Sequence, residues 1–276
     1  MKKFIKVFSI ILVVAMTLAL VVGLTACDKS DPDTLHVYTN AEFPPFEYME
    51  KGEYKGFDMD LIKAIGKEMG LKVEIHHVDF DAIIPSIQSS SYANTVAIAG
   101  MDITPDRLES VDFSDPYLTS AYQVVVTTKG DTSFDDCKTK EDVINVLKAK
   151  SNIFVAKGQI GHALATGSMG FPNIGIPAGA VKVSDTIGLA ISTMTKVTDC
   201  ALADNITAAA TISEDVNKGK YKIIDINLAD DYYGIAVKKG DKAMADKVNA
   251  ALKKIKKDGT FDEIYEEYKS SIEQAE

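Results

Sequence analysis

The segment that decides the fold reads Ala97-Ile98-Ala99-Gly100-Met101-Asp102-Ile103-Thr104-Pro105-Asp106-Arg107 and runs on to Phe113-Ser114-Asp115-Pro116-Tyr117. An apolar run ends at Gly100, and an acid, a turn marked by Pro105 and a single Arg107 follow. This order is typical of a strand that ends at a cleft. Because arginine presents a planar fork of donors that matches a carboxylate, Arg107 is a candidate ligand-binding residue. The alternative is a surface arginine that merely follows a turn.

Strand-like runs alternate with helical periodicities from Leu35 onwards, which predicts an α/β fold. Asn40, Gly100, Gly158 and Asp204 each come just after an apolar strand-like run. Ligands of such sheets bind beyond the carboxyl ends of the strands, so these four positions favour one shared site. For Asp204 the alternative is a helix cap.

Local signals also predict where individual helices begin and end. Asp58 is a candidate N-cap for a helix that stops at Gly70, and Asp241 is a candidate cap for a C-terminal helix. Pro105 marks a turn, and Pro44-Pro45 predicts only a stiff turn.

The N-terminus has the pattern of an export signal rather than of a folded element. Lysines precede an almost purely apolar run from Phe8 to Leu24, and Leu24-Thr25-Ala26-Cys27 closes it. The ending resembles a bacterial lipobox, which predicts a signal peptide over residues 1–26 and lipidation of Cys27. A membrane-spanning helix is the alternative, since the run approaches the length a bilayer needs.

Charge and cysteine usage narrow the function further. The formal net charge is −10, and loss of the lysine-bearing signal makes it more negative, so we expect no nucleic-acid partner. A disulfide between Cys137 and Cys200 stays open, with two separate thiols as the alternative. No cysteine or histidine spacing indicates a metal, and His76 and His77 point to opposite faces of a strand. We expect no metal and no cofactor.

A resemblance to a known family covers nearly the whole chain after the signal. It rests on Thr39-Asn40-Ala41-Glu42-Phe43-Pro44-Pro45-Phe46-Glu47-Tyr48, Gly56-Phe57-Asp58-Met59-Asp60-Leu61, Phe80 to Gln88, the opening segment, Tyr233-Gly234-Ile235-Ala236-Val237 and Asp258-Gly259-Thr260-Phe261. The chain resembles an extracytoplasmic solute-binding protein of an ABC importer, of the polar amino-acid-binding family. The resemblance implies a type 2 periplasmic-binding-protein fold, in which a ligand cleft lies between two α/β lobes joined by two crossing strands.

The same resemblance implies a division of the chain. Ahead of the lobes, the polar, proline-containing composition of residues 27–33 itself predicts a short tether. Residues 34–116 and 234–276 form lobe 1, 122–228 form lobe 2, and 117–121 and 229–233 are the hinge crossings.

Ligand contacts carry over by resemblance as well. Arg107 would grip an α-carboxylate, helped by N–H groups of Asp102 and near Ile160. Asp204 and the Gly100 carbonyl would take an α-ammonium. The resemblance implies that Phe43 and Phe57 enclose the ligand's side chain. Asn40 would be the polar group at the far end of that side chain. Both aromatics could instead be core residues.

Two positions depart from the family's pattern. Asp102 stands where a hydroxyl residue is usual, so its carboxylate should face the ammonium or a basic group of the ligand. Gln159 follows Gly158 where threonine is usual, so a hydroxyl donor is missing and Gln159 either replaces it or contacts the ligand's side chain. Both departures bear on which ligand binds.

The resemblance implies a non-catalytic receptor that binds a polar or basic amino acid and delivers it to ABC permease subunits. It would be a monomer, anchored by lipid to the outer face of the cell membrane. Two alternatives remain: a dehydratase-like enzyme on the same fold, with Asp102 or Glu42 as general acid, and a ligand-sensing surface lipoprotein.

Overall fold

The computed structural model describes residues 31–273. The predicted signal peptide, Cys27 and most of the predicted tether lie outside the described residues. Across 31–273, no helix combines the length and apolarity that a membrane crossing requires.

The secondary structure alternates along the chain as the sequence predicts. The strands are β1 (Thr34–Thr39), β2 (Glu42–Phe43), β3 (Glu47–Glu50), β4 (Glu53–Lys55), β5 (Lys72–His77), β6 (Thr95–Ala97), β7 (Val111–Phe113), β8 (Gln123–Thr128), β9 (Ile153–Ala156), β10 (Val181–Ser184), β11 (Cys200–Asp204), β12 (Tyr221–Ile224) and β13 (Ala236–Lys238). The helices are α1 (Phe57–Met69), α2 (Ile83–Ser89), α3 (Pro105–Ser110), α4 (Lys140–Ala149), α5 (Ile160–Thr166), α6 (Ile187–Ser192), α7 (Asn205–Ser213), α8 (Lys242–Lys257) and α9 (Thr260–Glu273). Short 3-10 turns cover Phe80–Ala82 and Ala178–Ala180.

Two five-stranded sheets form the body of the molecule. The first has the order β5-β1-β6-β13-β7, and the second has the order β10-β9-β11-β8-β12. Within the first, β1 runs parallel to β5 and β6, whereas β13 is antiparallel to β6 and β7. Central strands such as β8 are buried on both faces, which explains their continuous apolar runs. A small antiparallel sheet, β2-β3-β4, which the sequence did not predict, lies beside the first.

The chain passes from the first sheet to the second after β7 and returns after β12. The two crossing segments are hydrogen-bonded to each other: the Tyr233 N–H donates to the Leu118 carbonyl at 3.0 Å, and the Asp231 N–H donates to the Ala121 carbonyl at 2.9 Å. The boundaries of the two lobes and of the hinge stay a prediction. The predicted hinge residues 117–121 and 229–233 belong to these two crossing segments.

Some local signals are confirmed and others are corrected. Gly70 ends α1 in the left-handed conformation, and the Asp241 carboxylate caps α8 by accepting from the Met244 N–H at 3.0 Å. The predicted cap at Asp58 is wrong, because α1 starts at Phe57 and the buried Asp58 carboxylate accepts other hydrogen bonds. The turn predicted at Pro105 is the start of a short helix, α3.

Both cysteines of the described region are free thiols. The disulfide that the sequence left open is therefore not formed.

Candidate functional site

Arg107 is the only arginine in the sequence, and the fold buries it between the two sheets. It lies in α3, where the Thr104 hydroxyl caps the helix by accepting the Arg107 N–H at 3.3 Å. Its Nη1 donates to the Asp102 carbonyl at 2.8 Å, and its Nη2 donates to the Gly158 carbonyl at 2.8 Å. The guanidinium therefore links the segment after β6 in the first sheet to the loop after β9 in the second.

Three buried carboxyl groups cluster near this single cation: two act on the guanidinium directly, and the third acts on those two acids. They belong to Asp102, Asp204 and Asp231, each of which is 5% exposed or less. Asp102 Oδ2 lies 3.9 Å from Arg107 Nη1. Burial raises the pKa of Asp102 to about 7, and the charge of Asp204 adds to this rise while Arg107 opposes it. One arginine cannot neutralise all three acids when they are ionised, so a second cation at this position would stabilise their charged forms.

Asp204 occupies the last position of β11 and caps α7. Its Oδ1 accepts from the Thr207 N–H at 2.7 Å, so the capping interpretation of this residue is confirmed. Burial nevertheless raises the pKa of the Asp204 carboxyl to about 6. A helix cap and a ligand contact are compatible here, because a carboxylate has several lone-pair positions.

Asp231 is a site residue that sequence reasoning missed. It lies on the second crossing segment, where Gln123 Nε2 donates to its Oδ2 at 2.7 Å. Burial, together with the charges of Asp102 and Asp204, raises the pKa of Asp231 well above its usual range. In the sequence, only the acid pair Asp230-Asp231 marks this position. Such a pair does not by itself reveal which of the two side chains turns inward.

Gly100 lies at the end of the strand-like run, as predicted, and its surroundings require glycine. Its φ is +50°, and a Cβ placed there would lie 2.7 Å from Phe43 Cε1. The Gly100 N–H donates to Asp58 Oδ2 at 2.8 Å, and the Tyr117 hydroxyl donates to the same oxygen at 2.8 Å. The Asp58 carboxylate therefore fixes the peptide that sequence analysis placed in the site.

The aromatic residues are arranged differently from the prediction. Phe43 is buried, stacks on Phe46 and lies against Gly100. The structure corrects the placement of Phe57, which is fully buried in the core because its ring packs edge-on against Tyr265 and other aromatics of α9. The sequence did not single out Phe80 as a site residue. The centroid of its ring lies 5.4 Å from the Arg107 guanidinium carbon.

The loop after β9 contributes mostly backbone. Gly158 offers its carbonyl to Arg107, and its N–H donates to His162 Nδ1 at 3.3 Å. Gln159 is half-buried at the N-cap of α5 and makes no capping hydrogen bond with its side chain. The Ile160 side chain is buried in the core of the second sheet, so only its backbone can serve a ligand.

A cavity of about 290 Å³ opens beside the Arg107 guanidinium, where the Phe80 ring forms part of its wall. Its lining consists of Asn40, Glu42, Asp79, Phe80, Asp81, Lys157 and Asp185. Lys157 forms an ion pair with Asp81 across the cavity, so the remaining acids give this end of the site a negative charge. Asn40 is buried, and its Nδ2 donates to the Val78 carbonyl at 3.1 Å.

Two α/β sheets joined by two crossings, with a buried arginine and buried acids between them, define a two-lobe solute-binding protein. The sequence from 35 to 271 matches the model of bacterial extracellular solute-binding proteins, family 3. The chain belongs to this family, which confirms the resemblance and the predicted fold class.

Known proteins similar to this chain agree with that assignment. A probable histidine-binding protein of Neisseria gonorrhoeae is 31% identical over 247 residues, which is 88% of this chain and 86% of that protein. An ancestral arginine-binding protein bound to arginine is 39% identical, with a TM-score of 0.71, over 85% of this chain and 97% of that one. An ancestral amino-acid-binding protein described as a precursor of cyclohexadienyl dehydratase is 32% identical, with a TM-score of 0.69, over 86% of this chain and 95% of that one.

Proposed function

We propose that this protein binds a free amino acid with a basic or polar side chain and delivers it to an ABC importer without catalysing a reaction. The observation that carries the proposal is the charge balance between the two sheets, where Arg107 is the single cation among Asp102, Asp204 and Asp231. A zwitterionic ligand supplies one anion for the arginine and one cation for the acids. Buried charges need such partners, because an unpaired buried charge is costly.

In this proposal the α-carboxylate binds Arg107 and displaces the carbonyl groups that the guanidinium now contacts. The N–H groups of Asp102 and Ile160 assist. The α-ammonium binds Asp204 and the Gly100 carbonyl, and Asp102 turns its carboxylate to the same ammonium. Because the ligand touches both sheets, its binding favours the closed arrangement of the two lobes around the crossings at 117–121 and 229–233.

The ligand's side chain extends into the cavity beside Phe80. Phe43 and Phe80 flank it, and Asn40 lies at its far end; Phe57 supports this wall from the core. The acids Glu42, Asp79 and Asp185 favour a cationic end group. Relatives described as histidine-binding and arginine-binding support the same class of ligand.

A thermal-shift series with the protein amino acids tests the proposal, because a ligand that binds only the folded state raises the melting temperature. We expect arginine, lysine or histidine to raise it most and aspartate to leave it unchanged. Two variants distinguish the effect of a cavity acid from that of a surface acid. Asp185→Asn, in the cavity, should weaken binding of the basic amino acid, whereas Glu53→Gln, on the surface, should not. If no amino acid raises the melting temperature, the proposed function is wrong.

An enzyme on the same fold is the second candidate, since the pKa of Asp102 lies at about 7 and one similar protein is described as a dehydratase precursor. A group with this pKa suits general acid catalysis. Incubation with candidate ligands followed by mass spectrometry distinguishes the two. Recovery of the unchanged amino acid supports the receptor, and a dehydrated product supports the enzyme.

We further propose that the protein is made with a signal peptide over 1–26 and is held as a monomer at the outer face of the cell membrane by a lipid on Cys27. The support is the lipobox-like Leu24-Thr25-Ala26-Cys27 and a family of extracellular proteins. Labelled fatty acid should enter the wild-type chain and not the Cys27→Ser variant. A surface sensor would share this anchor. A permease gene next to this one would favour the importer, and the absence of such a gene would favour the sensor.

A further inference from the structure

A histidine pair lies at the edge of the first sheet, away from Arg107. The parallel register of β1 and β5 places His36 opposite Glu74 and Tyr38 opposite His76. Because side chains alternate between the two faces of a strand, these four residues share one face of the sheet. His77 points to the other face, where its Nδ1 accepts from the Ala41 N–H at 3.1 Å.

Three side chains of this block converge, and one donor atom from each lies within 4.8 Å of the other two. His36 Nδ1 lies 3.0 Å from His76 Nε2. Glu74 reaches both rings, with Oε2 at 3.8 Å from His36 Nδ1 and Oε1 at 3.6 Å from His76 Nε2. In a tetrahedral zinc site with bonds of about 2.0–2.1 Å, neighbouring donor atoms are about 3.3 Å apart. The distance between the two nitrogens is slightly shorter than this value, and the distances to the two Glu74 oxygens are slightly longer. A zinc ion therefore fits once the exposed Glu74 carboxylate turns one oxygen toward both nitrogens.

The surroundings of His36 suit a metal ligand. Its side chain is buried. Its Nε2 has no hydrogen-bond partner among the described residues, so no donor there opposes the tautomer that carries its proton on Nε2 and leaves Nδ1 free for a metal. The Tyr92 ring stacks on the His36 ring with centroids 3.6 Å apart and holds the ring plane.

Glu74 supplies what a pair of histidines lacks. It is 57% exposed, so an ion can enter from solvent and a water can complete the coordination. Its carboxylate also offsets the charge of a divalent ion. Two imidazoles with one carboxylate form a ligand set that suits zinc.

We infer that His36, Glu74 and His76 form a binding site for Zn²⁺ on the β1–β5 edge of the first sheet. The site is independent of the amino-acid site proposed above, because the cavity beside Arg107 is lined by other residues. Zinc takes the place of the hydrogen bond between His36 and His76 and joins the edge strand β5 to β1. The alternative is that the two rings form only that hydrogen bond.

A zinc titration of the purified protein against a chromophoric chelator at pH 7.5 tests the site. We expect one Zn²⁺ per chain. His76→Gln and Glu74→Gln should each weaken zinc binding by at least the roughly 10- to 100-fold that loss of an outer-shell partner costs in metal sites. The matched control is His77→Gln, one residue along on the opposite face, which should leave zinc affinity unchanged. His76 and Glu74 carry the test because substitution of the buried His36 could prevent folding.

Nitrogen NMR of the histidines gives a second measurement, since the sequence has only four, His36, His76, His77 and His162. Zinc should shift the ring nitrogens of His36 and His76 and leave those of His77 and His162 in place. The site is disproved if the wild type does not bind zinc, or if His76→Gln and His77→Gln bind it equally well.

Discussion

Arg107 Nη2 donates a 2.8 Å hydrogen bond to the carbonyl of Gly158, so the only arginine of the chain joins the two sheets directly. Its Nη1 donates a second hydrogen bond, also of 2.8 Å, to the Asp102 carbonyl. An incoming carboxylate offers a charged bidentate partner in place of two neutral carbonyls, and charge-assisted hydrogen bonds are the stronger kind. In the function proposed above, Arg107 would therefore couple ligand binding to closure of the lobes.

Removing this guanidinium should abolish binding of the amino acid. For Arg107→Ala we expect an affinity loss of at least about 2–5 kcal/mol, the cost of truncating one partner of a buried charge pair. Isothermal calorimetry measures it. Lys222→Ala, which breaks an exposed ion pair with Asp135, is the control and should bind as the wild type does.

Because the chain has one arginine, nitrogen-labelled arginine gives a single guanidinium NMR signal. Ligand should move this signal in the wild type. An unchanged signal on saturation with ligand would show that Arg107 does not hold the carboxylate.

Affinity for a cationic ligand should depend on pH through the buried acids. The pKa values of Asp102 and Asp204 are about 7 and about 6 in the free protein, and burial is the main cause of both. Below these values the acids are neutral and cannot pair with the ammonium. Affinity should therefore rise as pH increases from 5 to 7, by up to about tenfold per pH unit for each proton released, and level off above pH 7.

Calorimetry in buffers of different ionisation enthalpy counts the protons released on binding. Asp102→Asn should flatten the profile near pH 7, while Asp135→Asn, which removes a carboxylate of the exposed ion pair with Lys222, should leave the profile unchanged. The same affinity at pH 5 and pH 7.5 would show that these acids do not bind the ammonium.

Sequence patterns predicted the α/β architecture because apolar periodicity and strand ends are local. Arg107 and Asp204 became candidate site residues by the same means. Phe80 and Asp231 were missed, since neither lies in a pattern that reveals which way its side chain turns. The packing of α1 against α9 decides that Phe57 faces the core. Phe80 lies in the 3-10 turn Phe80–Ala82, where its ring contacts the Arg107 guanidinium and lines the cavity. Sequence analysis also did not predict the histidine cluster, for a related reason. His36 and His76 are separated by 40 residues and meet only through the register of β1 and β5.

The second sheet contains a buried ion pair that should control its stability. Lys150 Nζ donates to Asp131 Oδ2, and both side chains are almost completely buried. The hydrogen bond from Lys150 and those from neighbouring groups hold the pKa of Asp131 at about 2 despite burial, which raises it. Loss of the lysine leaves that carboxylate charged and unpaired.

We expect Lys150→Met to lower the free energy of unfolding by about 3–5 kcal/mol, as removal of one partner from a buried pair does. Lys222→Ala at the exposed pair should cost less than about 1 kcal/mol. Urea unfolding at pH 7 compares the two. Equal losses would mean that the burial of the Lys150–Asp131 pair has no energetic consequence.

Gly100 and Gly52 offer a matched test of the contact between the proposed site and Phe43. Both have positive φ, +50° at Gly100 and +85° at Gly52, so alanine is strained at either position. At Gly52 nothing lies within 4 Å of an added Cβ, whereas at Gly100 the Cβ would meet Phe43 Cε1 at 2.7 Å. Gly52→Ala should therefore cost only the backbone strain, about 1–2 kcal/mol.

Gly100→Ala should cost the same strain plus the displacement of Phe43, a further amount of about 1–3 kcal/mol typical of overpacking. Gly100→Ala should also weaken amino-acid binding, because a shifted Phe43 side chain narrows the proposed pocket. Gly52→Ala should leave binding unchanged. Urea unfolding and calorimetry on both variants separate the two effects. If the two substitutions destabilise equally and neither changes affinity, the contact between Gly100 and Phe43 does not shape the site.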